Sequence, residues 1–396
     1  MVSQNELLAM AERYLLQTYA RPAFVLERGS GVELFDMTGR RYLDFVAGIA
    51  VNAFGYADPA MLQVISEQAA QLIHTSNLYH TAPAIELAQA LAEASFADRV
   101  FFCNSGAEAV EGALKFARKA ARERYGEGRP GILAFEGSFH GRTMGALAAT
   151  SREKYRKPFE PVMPGVRFAP YNDLLAAEQA FGADLCAVIV EPIQGEGGLR
   201  SASPAFLRGL RELCDRHGAL LIFDEIQCGL GRTGRLWAHE ESGVTPDIMV
   251  LAKPLGGGLP IGAILLTEAV AQHIHVGDHG STFAGSPLVC AVALAAFHRL
   301  SDPVFLAHVR EVGDYLTEQL EGLREELPQQ VLEHRGRGLM QGLRLTIPAA
   351  EVQARAMDRG LLVATAGEDI LRMVPPLIVE KEHIDEALSI LRQALV

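Results

Sequence analysis

Positive charge is in short supply: 36 lysines and arginines stand against 48 aspartates and glutamates, a net charge of −12. That balance argues against a nucleic acid or an anionic membrane as partner, since both call for a clustered basic surface. A small anionic substrate stays within reach, because a few arginines in one pocket outweigh the global sign. Cysteine is sparse as well. Cys103, Cys186, Cys214, Cys228 and Cys290 are odd in number, widely spaced and mostly inside apolar runs. Neither a disulfide framework nor a CxxC metal site is offered, so no metal is expected and the five read as buried thiols in a reducing compartment. No uncharged apolar run approaches ~18 residues, so no membrane span is expected. Met1 to Tyr19 mixes Glu6, Glu12 and Arg13 among its apolar residues, which is wrong for the unbroken apolar centre of a signal peptide. A GxxxxGK[ST] loop is missing, as is any internal repeat. The expectation is a cytoplasmic protein acting on small molecules.

What is present is a repeating α/β pattern across the middle of the 396 residues. Short apolar runs, Val100–Cys103, Ile132–Phe135, Ala187–Val190, Leu220–Phe223, Ile248–Leu251 and Ile261–Leu266, have the length and continuity of strands covered on both faces. Helices are legible between them. Ser203-Pro204 makes an N-cap and first-turn pair, Phe206, Leu210, Leu213 and Cys214 share a face, and Gly218 stops the helix. Alternation of this kind implies a largely parallel sheet with its site at the strands' C-terminal ends. Only Pro254 to Pro260 joins the last two runs, too short for a crossover helix, so that pair should be antiparallel and the sheet mixed. Beyond Cys290 the pattern changes to long amphipathic helices with short strands near 338–345 and 371–374, a separate C-terminal domain.

Four strand ends each deliver polar residues. Asn104-Ser105-Gly106-Ala107-Glu108 ends a strand and opens a helix, where free backbone N–H groups favour a phosphate. Asp224-Glu225-Ile226-Gln227 follows a buried strand, and a carboxylate there needs a cation or a strong donor, which a protonated pyridine nitrogen would supply. Lys253 ends another apolar strand, where desolvation favours the neutral amine that a Schiff-base lysine requires. Glu191-Pro192-Ile193-Gln194-Gly195-Glu196 brings two more carboxylates to the same edge. A rival signal is Gly229-Leu230-Gly231-Arg232-Thr233-Gly234, which matches the GxGxxG of a dinucleotide-binding oxidoreductase. It lies five residues beyond its strand, and Arg235 to Gly243 has no clear helical face, so it lacks the strand-turn-helix setting that this motif needs.

Taken together, these blocks resemble the class III (ornithine-type) aminotransferases from about Tyr19 to the C-terminus. Also shared are Gly48-Ile49-Ala50-Val51, Phe139-His140-Gly141-Arg142, Gly280-Ser281-Thr282 and Arg372 before Pro375-Pro376. The resemblance implies the type I fold of pyridoxal-phosphate-dependent transferases: a mixed, mostly parallel seven-stranded sheet in a large domain (51–290), with a smaller α+β domain built from residues 1–50 and 291–396. It implies pyridoxal 5′-phosphate on Lys253, with Asp224 at the ring nitrogen, Gln227 at the phenolic oxygen, and Phe139 and Ile226 on the ring faces. Ser105, Gly106 and Ala107 would bind the phosphate together with Thr282 of a neighbouring subunit, which makes the enzyme a homodimer, and Glu225 is counted with the same set. Arg142 would grip the distal carboxylate of 2-oxoglutarate or the α-carboxylate of N2-acetylornithine. Arg372, paired with Glu196, would receive the α-carboxylate of glutamate, and Ser281 and Tyr19 are further substrate contacts. The implied reaction moves the terminal amine of N2-acetylornithine to 2-oxoglutarate in arginine biosynthesis. Ornithine, succinylornithine, 4-aminobutyrate and a lysine-pathway amine are alternative donors. Val110, Cys228, Pro254 and Ser286 depart from the family's usual Asn, Thr, Ala and Asn, and the resemblance implies that all would lie in or behind the cofactor pocket.

Overall fold

A computed structural model describes residues 2–396. Its centre is a seven-stranded sheet of β1 (Arg99–Cys103), β2 (Gly131–Phe135), β3 (Val166–Ala169), β4 (Leu185–Val190), β5 (Leu220–Asp224), β6 (Ile248–Leu251) and β7 (Gly262–Leu266), in spatial order β1-β7-β6-β5-β4-β2-β3. From β6 outward through β5, β4, β2 and β3 every pair is parallel. β7 runs antiparallel to both of its neighbours, with Val250 opposite Ile264 and Phe101 opposite Ile264 on the other side. The short 254–260 connection requires this reversal.

All residues of β2, β4, β5, β6 and β7 are buried, which their unbroken apolar character demands of a sheet sheathed on both faces. β3 was not among the apolar runs. It is an edge strand whose Val166-Arg167-Phe168 are only partly covered, so Arg167 interrupts the run without burying a charge. On one face lies helix α1 (Gly106–Tyr125), whose Ala109, Val110, Ala113, Leu114, Phe116 and Ala117 are buried. On the other face helix α2 (Pro204–His217) buries Phe206, Leu207, Leu210, Leu213 and Cys214. It begins where Ser203 Oγ accepts from Phe206 N at 3.1 Å and ends at a left-handed Gly218. Truncating a fully covered side chain such as Leu210 to alanine costs roughly 2–5 kcal/mol in sites of this kind.

The chain's two ends meet. Strands Leu26–Ser30, Glu33–Asp36 and Arg41–Asp44 form a sheet that Leu361–Leu362 joins alongside Leu43 and Asp44. A second four-stranded sheet holds Val331–Arg337, Met340–Leu345, Ile370–Met373 and Ala364–Thr365. Its strand Val331–Arg337 escaped the sequence pattern because Glu333, His334 and Arg335 give it no apolar run. One hydrophobic cluster connects the parts, running from Leu251 and Leu255 under the large sheet through Val309 and Leu316 to Leu43, Leu371 and Leu391. That continuity places Arg372, from the second sheet, at the edge of the first.

Candidate active site

The C-terminal ends of β1, β4, β5 and β6 and the loop after β2 surround one cavity of about 460 Å³. Asn104 to Ala107 line it, with Phe139, His140, Arg142, Glu191, Glu196, Asp224, Ile226, Gln227 and Lys253. Asn104 and Lys253, 149 positions apart in the chain, meet there because parallel strands all end on one side.

The turn after β1 is built to leave donors free. Ser105 Oγ accepts from Glu108 N at 3.2 Å, and Glu108 reaches back to accept from Asn104 N at 2.8 Å. Among the described residues the N–H groups of Gly106 and Ala107 have no acceptor, and they open a 20-residue helix facing the cavity. Such a terminus is an anion site of phosphate size. A Cβ at 106 would stand 2.9 Å from Cδ1 of Ile226, so any larger residue there would push the Ile226 side chain out of place.

Asp224 lies across the cavity, 4% exposed, with His140 beneath it: Nδ1 of the ring donates to Oδ2 at 2.7 Å, and Ile226 N donates to Oδ1 at 3.1 Å. Burial works against a charge on His140, but the hydrogen bond and charge of Asp224, with Glu191 behind, outweigh it and lift the ring's pKa above its ordinary value. Glu191 accepts from Phe139 N at 3.0 Å and Gly195 N at 3.2 Å. Burial raises its carboxyl to about 7; His140 pulls the other way and the charge of Asp224 adds to the rise. Lys253, half-buried on the cavity floor, has its pKa lowered by desolvation, against the pull of Asp224 and with a push from Arg372. The lysine is therefore biased toward a free electron pair.

Glu191 has a consequence for stability. Its proton leaves near 4.5 when the chain is unfolded and near 7 when it is folded, so the folded state binds more protons between these values and loses stability as pH rises across them. Chemical denaturation from pH 4.5 to 7 should show a shallower loss in Glu191→Gln than in the parent. Parallel slopes would show that Glu191 is not the group responsible.

Arg372 is 2% exposed and donates from Nη1 to Glu196 Oε1 at 2.6 Å and Gln227 Oε1 at 3.1 Å. Arg142 is exposed, with its guanidinium 3.7 Å from the ring centroid of Tyr155 and 5.6 Å from that of Phe139. Five residues expected at the site do not line this cavity, Arg372 among them, which reaches it only through Glu196 and Gln227. Thr282 is exposed, Tyr19 is 73% exposed, and Ser281 meets only its back wall through Asn104 Nδ2 at 2.9 Å. Glu225 corrects the expectation that all of 224–227 face the cofactor. It is fully buried, and its carboxylate accepts from Ala238 N and His239 N at 2.8 Å each and pairs with His239 Nδ1 at 2.7 Å. Alternation along an extended segment sends neighbouring side chains opposite ways. In the sequence His140 stands out only as part of the Phe139-His140-Gly141-Arg142 block. Nothing local in the sequence says that its ring would find a carboxylate 84 residues away.

The residues fit pyridoxal phosphate: a free-donor helix start for the phosphate, a buried carboxylate backed by a histidine for the ring nitrogen, and a desolvated lysine for the aldehyde carbon. The GxGxxG segment, by contrast, contributes nothing to the cavity, and its Arg232 is fully buried against Leu339 O and Pro375 O.

Comparison with known proteins agrees with this geometry. The Aminotransferase class-III family model matches residues 15–395. Mitochondrial acetylornithine aminotransferase of Alnus glutinosa is 53% identical over 396 residues, covering 99% of this chain and 88% of that protein. Acetylornithine aminotransferase of Methanocaldococcus jannaschii is 46% identical over 390 residues, 98% of each chain. Among solved structures, the N-acetylornithine aminotransferase of Stenotrophomonas maltophilia superposes with a TM-score of 0.84 at 40% identity over 98% of both chains. The ornithine aminotransferase of Toxoplasma gondii reaches 0.93 at 33% identity, covering 100% of this chain and 95% of the other.

Proposed function

The chain belongs to the class III aminotransferases, pyridoxal-phosphate-dependent transaminases, and from that membership we propose that it moves the terminal amine of N2-acetylornithine to 2-oxoglutarate. The products are N-acetylglutamate 5-semialdehyde and glutamate, a step of arginine biosynthesis. The observation that carries this reading is the unequal state of the two arginines. Arg372 is neutralised by Glu196 at 2.6 Å, whereas Arg142 meets no carboxylate among the described residues. A donor with one carboxylate places it on Arg142 and leaves the Glu196 pair closed. A dicarboxylate has a second anion, which displaces Glu196 and takes Arg372 by a bidentate contact.

Lys253 would hold the cofactor, Asp224 would keep a proton on the ring nitrogen, Gly106 and Ala107 would bind the phosphate, and Phe139 and Ile226 would pack on the ring. When bound, pyridoxal phosphate supplies the electron-accepting ring that takes up the pair left on the substrate carbon. Lys253 Nζ, biased toward the neutral amine by desolvation, would accept the proton from that carbon and return it to the cofactor side. His140 holds Asp224 in place and shares its charge, so the ring-nitrogen proton stays where it is needed. Arg142 and Arg372 orient the carboxylates, so that the amine to be transferred is aimed at the cofactor carbon that Lys253 would hold rather than at the cavity wall.

The same reading takes the enzyme to be a cytoplasmic homodimer. Thr282 is exposed and does not line its own cavity, and it lies beside exposed Leu78, Tyr79 and Phe283, two segments held together through Asn77 Nδ2 bonds to Ser281 O and Ala284 O. That patch is what a second copy would cover, carrying Thr282 to the other phosphate. No helix among the described residues is long and apolar enough to cross a membrane.

Purified enzyme with added cofactor is expected to form glutamate from 2-oxoglutarate at least about tenfold faster with acetylornithine than with ornithine or 4-aminobutyrate, by kcat/KM. A preference for either of the latter would overturn the donor assignment. Sedimentation as a single chain would remove the shared site.

A further inference from the structure

Arg142 has to be held at the cavity mouth by something other than an ion pair, and two features do this. Its guanidinium lies 3.7 Å from the ring centroid of half-buried Tyr155, whose edge meets Phe139 at 6.1 Å and 82°. A second cation, Lys154 Nζ, stands 5.2 Å from the same ring. The backbone beside Arg142 is clamped as well. The helix Met144–Ala148 has no cap from its own Thr143. Instead Glu111, on α1, accepts from Gly145 N at 2.7 Å and Ala146 N at 3.2 Å, and a Cβ at 145 would stand 2.3 Å from the Glu111 carboxylate. The helix whose first turn faces the cavity at Gly106 and Ala107 thus also fixes the segment that carries Arg142.

Resting on the reaction proposed above, we propose that Tyr155 is a positioning residue for specificity: a shelf that presets Arg142 at a fixed distance from the ring packed on Phe139, and so selects substrates with a carboxylate at that reach. Ordering a free arginine costs rotamer entropy at each binding event. A guanidinium already lying on an aromatic face has lost that freedom beforehand, and the attraction depends on the ring rather than its hydroxyl. Substrates with no carboxylate for Arg142 to hold gain nothing from the shelf.

Steady-state kinetics of the holoenzyme decide it. In Tyr155→Leu the KM for 2-oxoglutarate and for acetylornithine should rise about fivefold to tenfold, with kcat, bound cofactor and the rate constant for pyruvate unchanged. Tyr155→Phe should restore parent values, and Tyr155→Leu should add nothing in an Arg142→Ala background. Should Tyr155→Leu not fold, Tyr155→Met carries the same comparison. An unchanged KM, an equal loss with pyruvate, or a Tyr155→Phe variant as impaired as Tyr155→Leu would overturn the shelf. A parent enzyme that takes no dicarboxylic acceptor overturns the reaction itself, which is a different result from parent turnover with an indifferent Tyr155.

Discussion

Replacing Lys253 by alanine is expected to lower turnover by more than about 10⁴-fold, since in the proposed mechanism the same amine would both hold the cofactor and move the proton. The protein should stay folded. Burial depresses the lysine's pKa, so at neutral pH the folded chain bears the cost of a desolvated amine that the unfolded chain does not. The sign follows from linkage: a base with a lowered folded pKa gives up stability as pH falls below its unfolded value. Cofactor-free Lys253→Ala should therefore melt no lower than the parent at pH 7, while the visible absorption of lysine-linked cofactor disappears. A variant that keeps the visible band, or retains more than about a hundredth of parent turnover, would show that the amine acts from elsewhere.

The second large effect belongs to Asp224→Asn. The amide keeps the shape of the side chain but loses the charge that would hold a proton on the ring nitrogen, and its single oxygen cannot accept from both His140 Nδ1 and Ile226 N, as the two carboxylate oxygens do. Turnover should drop by roughly 10²- to 10⁴-fold, and breaking a buried pair of this type costs about 3–5 kcal/mol of stability. One readout separates this from general damage. His140 owes its raised pKa to Asp224, against the opposing action of burial. Its ring should therefore titrate lower in Asp224→Asn, as followed by NMR of the imidazole. A His140 pKa that stays put would mean that the pair does not set the charge under the ring.

Some parts of the site are written locally. The Ser-Gly-Ala start of a helix, a carboxylate after Leu-Leu-Ile-Phe and a lysine after Ile-Met-Val-Leu-Ala are short-range features whose chemistry follows from their own neighbours. Other parts depend on distance. The Arg372–Glu196 bond spans 176 residues, the His140–Asp224 bond 84 and the Glu111–Gly145 bond 34. No single-chain pattern encodes which of several charged residues will meet when strands from separate segments end together. Glu225 shows the converse: adjacent to Asp224 in sequence, it faces the opposite way and caps the turn at Ala238.

By itself the sequence determined six of the seven strands of the large sheet, their largely parallel direction, the antiparallel return forced by the seven residues Pro254 to Pro260, and the three groups proposed as cofactor handles at Gly106, Asp224 and Lys253. Apolar runs and turn residues act within a few positions, so periodicity alone exposes them. The edge strand at Val166–Ala169, the polar strand at Val331–Arg337, the histidine beneath Asp224 and the Tyr155 shelf beneath Arg142 were decided only by tertiary structure. Each depends on which surface a segment covers or which distant group it meets, and burial and charge pairing are properties of the assembled chain rather than of any stretch of it.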